Sequence, residues 1–469
     1  MTAAAANAPP LGASAGAEPA ASGLSVLEKV GYSLGDTASN FYWKTFEVFI
    51  LFYYTDVFGL PALQVGTMLF VTRTWDAVLD PLMGMLADRT STRFGKFRPY
   101  LLWGAAPMAV AGVLTFTRPA LSGTSLLAYA YVTYTSMMIA YTAINIPYSA
   151  LLGVMTAKSE ERTSASSYRF VAAFFGGLLV QSFTLPLVKA LGGADVAAGW
   201  QRTMILYGAA AGALFLLSFL STRERIAPPS GQHANLRRDL QDLLANRPWW
   251  VLFALGLCVI VSFWLRGGAG AYYFKYYCHR PDLVGWYFGT GTAASIVGAA
   301  LTPHLTKRIG KRRAYALLMT LGGLLTLAMY WVPPGSIALI FVLSGATAFI
   351  LGPNAPIVWA MYADTADYSE WKTGRRNTGL VFAAAVFSMK LGGAVGGWTL
   401  GALLDHFGYV PNAEQTPGAL HGILLAVSLI PALFGLVAAA VVMAYDLDEA
   451  KVAVVERELL ARRAVGEGA

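Results

Sequence analysis

Asp76 and Asp80 stand one helical turn apart in the stretch TRTWDAVLDPLM (72–83), inside a run of apolar residues long enough to cross a bilayer. A charge near mid-bilayer costs at least about 2.5–3.5 kcal/mol on insertion scales, so such a residue normally faces a partner or a water-filled cavity. Arg73, Asp76 and Asp80 follow an i, i+3, i+7 spacing, which puts all three on one helix face. Two carboxylates this close in a low dielectric cannot both stay ionised without compensation, so one takes up a proton or binds a cation. If a lysine from elsewhere in the chain neutralises one of them, a single net negative charge remains, and an electrochemical gradient can fill that loading site.

The elements that must hold these charges are membrane helices. Of 469 residues, 56% are hydrophobic and only 13% charged, and the mean hydropathy is +0.53, which excludes an ordinary soluble domain. Apolar stretches of spanning length number roughly twelve, at about 30–54, 62–87, 99–117, 124–153, 168–190, 202–221, 248–277, 283–306, 314–332, 337–362, 378–404 and 419–445. The first 24 residues, rich in Ala, Gly, Ser and Pro, read as a disordered tail without the features of a cleaved signal. The net charge of +8 does not point to nucleic acid, because the basic residues sit in alternate loops: Arg89, Arg93, Lys96 and Arg98; Arg223, Arg225, Arg237 and Arg238; Lys307, Arg308, Lys311, Arg312 and Arg313. The positive-inside rule then places both termini in the cytoplasm. Cys258 and Cys278 fall on one helix about 30 Å apart and cannot pair with each other.

RFGKFRPY (93–100) follows the second span and RIGKRRAY (308–315) follows the eighth, with Arg, Gly, Lys, Arg and Tyr in register. A match 215 residues and six spans apart is the signature of two parallel six-helix repeats, the plan of the major facilitator superfamily. The expected division is 25–222 for the first half, 223–247 for a central cytoplasmic loop, 248–446 for the second half and 447–469 for a cytoplasmic tail. Span eight has no carboxylate at the place of Asp76 and Asp80, so the acidic chemistry belongs to the first half.

Other spans carry further polar groups. Asp36, Asn40, Lys44 and Glu47 form one stripe on span one, at i, i+4, i+8 and i+11, and mark a helix that lines a cavity. Single groups follow: Tyr141 and Asn145 on span four, Arg169 on span five, Arg266 and Lys275 on span seven, and Lys390 on span eleven beside LGGAVGG, where helices can pack closely. The bland alternative for each is a satisfied interhelical pair or a side chain reaching the interface, and it weighs most for Asp36, Arg169 and Lys275 near span ends. Asn40, Lys44, Glu47, Tyr141, Asn145, Arg169 and Arg266 are the candidate substrate-binding residues.

YYTDVFGL (53–60), WDAVLDPLMG (75–84), RFGKFRP (93–99), INIPYSALLG (144–153), ADTADYSEWKTGRR (363–376) and Lys390, taken in order, resemble the glycoside–pentoside–hexuronide:cation symporters. The resemblance covers nearly the whole chain after the tail. It implies a monomeric carrier in the bacterial inner membrane that moves a glycoside or sugar with H+ or Na+ and holds no cofactor or structural metal. It also implies that Asp76 and Asp80, with Thr142 as neighbour, bind the cation; that Lys390, alongside Arg73, is their charge partner; that Arg169 and Trp398 face the sugar; and that Asp364, Asp367, Glu370, Arg375 and Arg376, with Asp88 and Arg89, form cytoplasmic latches. Galactoside-transporting members carry sugar-binding aspartates where this chain has Asn40 and Asn145, so galactoside specificity does not carry over. The position between the two carboxylates, an asparagine in a sodium-using member, is Leu79, which offers no oxygen and favours H+ over Na+.

Rival readings are a Na+-coupled glycoside symporter, a lysophospholipid-type carrier within the same family, and an intramembrane enzyme or sensor. The polar stripe on span one and its aromatic neighbours suit sugar hydroxyls and pyranose stacking better than a lipid. No HExxH, GxSxG, Walker loop or clustered His/Cys spacing supports an enzyme.

Overall fold

A computed structural model describes residues 23–156, 159–225, 241, 243–374 and 378–466. The expected tail before Gly23 and most of the expected central loop lie outside the described residues. The first group of helices is α1 (Val26–Phe52), α2 (Ala62–Arg89), α3 (Arg98–Thr115), α4 (Gly123–Met155), α5 (Ser159–Gly192) and α6 (Val196–Ser221). The second is α7 (Arg247–Tyr272), α8 (Val284–Ala300), α9 (Thr302–Ile309), α10 (Lys311–Ala328), α11 (Ile337–Leu351), α12 (Asn354–Thr373), α13 (Thr378–His406), α14 (Pro417–Val427) and α15 (Leu429–Val442), followed by α16 (Glu449–Gly466). Eight helical segments among the described residues are long and apolar enough to cross a membrane by length and composition alone. The helices with the charged stripes, α1 and α2, are not among them.

Three stretches that read as single spans each contain a break, between α8 and α9, α11 and α12, and α14 and α15. A proline follows each break, at Pro303, Pro353 and Pro431, and removes the N–H that would bond the carbonyl four residues earlier. Helix starts are set by local chemistry. Ser25 and Glu28 form a reciprocal capping box at α1, with bonds of 3.2 and 3.1 Å, and Asn246 caps α7 ahead of Pro248.

The two groups pack by the same scheme. α1 lies along α5 and α6, α3 along α4 and α6, and α2 along α4; in the second group α7 lies along α13 and α15, α10 along α11 and α15, and α8 along α11. The repeated octapeptides show the same design in atomic detail. Gly95 (φ +107°) and Gly310 (φ +79°) each take a backbone that favours glycine, and a Cβ there would meet the carboxyl of Glu224 or of Glu449. Glu224 accepts from the backbone N–H groups of Lys96, Phe97 and Arg98 at 2.7–2.9 Å, and Glu449 accepts from that of Lys311. A carboxylate lying beyond the last spanning helix of each group thus satisfies the open N-terminus of α3 or α10.

The groups meet through α2 against α13, α5 against α8 and α1 against α7. Glycines allow this approach at one end of the bundle: a Cβ on Gly401 would lie 2.5 Å from the Ala62 carbonyl, and one on Gly285 would lie 2.6 Å from that of Ser182. The apolar core follows the same division. One buried cluster runs through the first group and into that end of the second, taking in Tyr272, Tyr273, Leu400 and Tyr409. A separate cluster around Trp249, Tyr315, Tyr362 and Tyr445 fills the opposite end of the second group alone. The core is therefore continuous between the groups at the Tyr272 end and divided at the end that carries Ser25.

Candidate cation and substrate site

α2 brings Asp76 and Asp80 to the face that α13 covers, and Lys390 on α13 reaches both. Its Nζ lies 2.8 Å from Asp76 Oδ2 and 2.6 Å from Asp80 Oδ2. Thr142, on α4, donates to Asp76 Oδ1 at 2.6 Å and lies 3.4 Å from Asp80 Oδ1. The carboxylates are unequal: the Asp76 side chain is 3% exposed and that of Asp80 is 16% exposed. With two carboxylates and one ammonium, the cluster carries one net negative charge when all three are ionised. It is shared between both helix groups, so a change in its charge acts on their contact. Leu79 is half-buried beside it and supplies no oxygen.

Arg73, expected as a second charge partner, forms no ion pair with Asp76 or Asp80 among the described residues. Its guanidinium lies 3.9 Å from the Trp264 ring centroid and 5.3 Å from that of Trp43, and its Nε and Nη2 have no hydrogen-bond partner. Stacking against two indoles holds the cation where those rings meet edge to face, and Tyr141 stacks on Trp43 at 5.5 Å. These aromatics come from α1, α4 and α7, so the cluster spans both groups.

On α1, Lys44 pairs with Glu47 at 2.9 Å. Asn40 donates to the Asp36 carbonyl, and Asn145 is partly exposed on α4. Arg266 donates to Ser344 Oγ at 3.0 Å, within the second group. Trp398 is 43% exposed, and its backbone packs on Gly66.

Arg169 is engaged inside the protein. It grips Asp36 with Nε and Nη2 at 2.6 and 3.1 Å, while Tyr148 donates to the same carboxylate at 2.7 Å. The pair is part-buried, so removing one member leaves a poorly compensated charge, at a cost of about 1–3 kcal/mol. Arg169→Ala is accordingly expected to lower the unfolding temperature in detergent sharply, and the double change Arg169→Gln with Asp36→Asn to recover much of the loss. An unchanged unfolding temperature with weakened substrate binding would assign Arg169 to the sugar instead.

At the expected cytoplasmic latch, Lys311 pairs with Asp364, while Arg89 closes α2 at an exposed position. Asp367 and Glu370 lie on the same α12 turns and make contacts of their own. The Asp88 side chain and residues Arg375 and Arg376 lie outside the described residues. Three further ion pairs at this end, Lys29 with Glu161, Arg225 with Glu28 and Lys451 with Asp446, each stay within one group.

Asp56 lies in the YYTDVFGL motif, but the sequence alone assigns it no role. α1 and α7 each end in a π-helical turn, Tyr53–Val57 and Tyr273–Tyr277, with matching bonds from Phe58 N to Tyr53 O and from Cys278 N to Tyr273 O, both 2.9 Å. Asp56 in the first turn pairs with Lys275 in the second at 2.5 Å. Aligning YYTDVFGL with YFKYYCHR across the two halves would have been the available signal.

The family described as MFS/sugar transport protein matches residues 31–449. The uncharacterized symporter YnaJ of Bacillus subtilis (strain 168) is 39% identical, across 93% of this chain and 95% of that protein. The putative glycoside/cation symporter YagG of Escherichia coli (strain K12) is 36% identical, across 94% of this chain and 96% of that protein. Among solved structures, a bacterial homolog of the human lysosomal transporter Spinster superposes with a TM-score of 0.64 at 14% identity, covering 90% of this chain and 98% of that one, which is a likeness of fold alone. An all-helical membrane fold packed as two like groups, with an ion cluster at their contact, thus joins a family match over most of the chain: it belongs to the MFS/sugar transport family, the sugar:cation symporters of the major facilitator superfamily.

Proposed function

We propose that this multi-pass symporter couples entry of a proton to uptake of a glycoside or related sugar by alternating access. The observation that carries this reading is the Asp76–Asp80–Lys390 cluster, because its members come from both helix groups. Protonating one carboxylate removes the net charge and weakens the hold of Lys390, so the charge state of the site biases how the groups pack. The halves, 25–222 and 248–446, then rock about this contact. The basic loops set both termini in the cytoplasm of a cell whose inner membrane holds the protein as a monomer. In that orientation the continuous core lies at the outer end and the divided core at the cytoplasmic end, so the state described faces inward.

The substrate reading rests on the polar stripe of α1, on Asn145, and on Trp43 and Tyr141 at the contact between the groups. Asn40 and Asn145 offer neutral amide donors and acceptors suited to hydroxyl groups. The similarity to YagG, a putative glycoside/cation symporter, supports the same class.

The test is uptake of labelled mono-, di- and uronic-acid glycosides into vesicles with and without an acid-outside gradient. Accumulation of at least one glycoside only with the gradient is expected, and accumulation of none, with lysophospholipid uptake in its place, would overturn the substrate class. Asp364, Asp367, Glu370, Arg375 and Arg376, with Asp88 and Arg89, serve as a gate that closes the cytoplasmic end, where acidic α12 can meet the basic loop after α2. In the same assay Asp364→Asn is expected to slow turnover severalfold with half-saturation unchanged. Chiefly lost affinity would place Asp364 in binding.

A further inference from the structure

Asp56 is a carboxylate of the first helix group set into a socket built almost wholly by the second. Its side chain is 1% exposed. Lys275 reaches Oδ2 at 2.5 Å, Tyr276 donates to the same oxygen, and Tyr409 and Thr55 donate to Oδ1. Asn412 closes the arrangement from the loop after α13, donating to the Asp56 carbonyl while its amide oxygen accepts from Lys275 at 2.6 Å. Asn412 holds a left-handed backbone (φ +56°), which asparagine tolerates better than most residues. The π-helical turns matter because the extra residue in each re-aims the side chains that follow, bringing Asp56 and Lys275 face to face across the contact between the groups.

Among the described residues, no hydrogen bond or ion pair of this cluster reaches Asp76, Asp80 or Lys390. A cavity of about 610 Å³, lined by Phe52, Asp56, Arg118, Asp195, Lys275 and Asn412, lies against the cluster. Lys275 stands partly exposed at this cavity, while the Asp56 side chain behind it is almost fully covered. Separating the groups here would strip the carboxylate of every donor except Thr55 and give it water in exchange, a balanced trade of the kind a reversible closure needs.

We propose that the Asp56 socket is the outer gate of the transport cycle: engaged, it seals the outer end while the cytoplasmic end is open, and it must release for substrate to enter from outside. This rests on the alternating-access reading above, but its test needs neither a substrate nor a gradient. Cys278 is 8% exposed and closes the π-helical turn that carries Lys275, so it reports directly on opening.

In right-side-out vesicles of a Cys258→Ala background, labelling of Cys278 by a membrane-impermeant maleimide is expected to be slow. Asp56→Asn is expected to raise the rate at least about tenfold, an equilibrium shift of about 1.4 kcal/mol. Asp56→Asn combined with Lys275→Met should label no faster than the quicker single variant, because both remove the same interaction. If Asp56→Asn fails to give a monodisperse folded peak, Tyr409→Phe carries the test: it leaves the ion pair, removes one donor, and should raise labelling about threefold. Rates within twofold of the parent in the folded variants, or labelling from inside-out vesicles alone, would overturn the proposal.

Discussion

Asp76→Asn and Asp80→Asn are each expected to abolish gradient-driven accumulation while leaving the protein in the membrane. The expected fall in the accumulation ratio is at least about tenfold, equivalent to about 1.4 kcal/mol of lost coupling. Lys390 sits within 2.8 Å of both carboxylates, so replacing either one leaves a neutral pair of one carboxylate and one ammonium, which resembles the site after loading. A carrier fixed in the loaded charge state can still exchange substrate across the membrane but cannot couple that movement to a gradient. Counterflow should therefore survive in both variants. Lys390→Met works in the other direction, leaving two buried carboxylates without a counter-charge, and is expected to cost about 3–5 kcal/mol of stability. Wild-type accumulation in both Asn variants, measured at equal membrane levels, would remove these residues from the coupling step.

The cation cluster was legible in the sequence because charges inside apolar runs are rare, and a helix period is enough to put Asp76 and Asp80 on one face. Lys390 stands out in the sequence as a charge inside span eleven, but its pairing with the two carboxylates is legible only through the family resemblance, since no local pattern links α2 to α13. The polar stripe of α1 was read as one cavity-lining face, yet it divides among different partners: Asp36 turns to Arg169 and Tyr148, while Lys44 and Glu47 satisfy each other. Helical spacing says which side chains share a face and nothing about which neighbour meets each of them. Arg73 shows the same limit, because the spacing that aligns it with Asp76 does not reveal that two indoles from other helices will hold it. Asp56 stayed hidden for a different reason. A π-helical turn has no residue signature of its own, and the partner of Asp56 lies in the equivalent turn of the other half. The helix breaks before Pro303, Pro353 and Pro431 were equally hard to read, since Pro81, Pro107, Pro147 and Pro186 sit inside unbroken helices. A proline alone does not decide whether neighbouring helices hold the chain straight.

Substrate entry is expected to alkalinise a weakly buffered cell suspension, with an initial rate insensitive to added sodium. The argument turns on how many oxygens the site can offer. Asp76 and Asp80 provide four carboxylate oxygens, but Lys390 already occupies one on Asp76 and both on Asp80, and Thr142 uses its proton on Asp76. Leu79, between them in sequence, is aliphatic, so a sodium ion would have to displace the lysine or complete its shell from water. A hard cation prefers an oxygen-rich cage, whereas a proton needs only one carboxylate. Asp80 is the better placed of the two, since it is the more exposed and Thr142 holds it less closely. Protonating Asp80 would leave Lys390 with Asp76 alone, so the ion loads without breaking every tie between α2 and α13. Leu79→Asn supplies the missing oxygen one residue from Asp80 and is expected to confer measurable sodium stimulation of uptake while proton coupling weakens. If the parent protein instead requires millimolar sodium and moves no protons, Lys390 must leave the site during loading, and the cation must draw its ligands from the carboxylates it vacates.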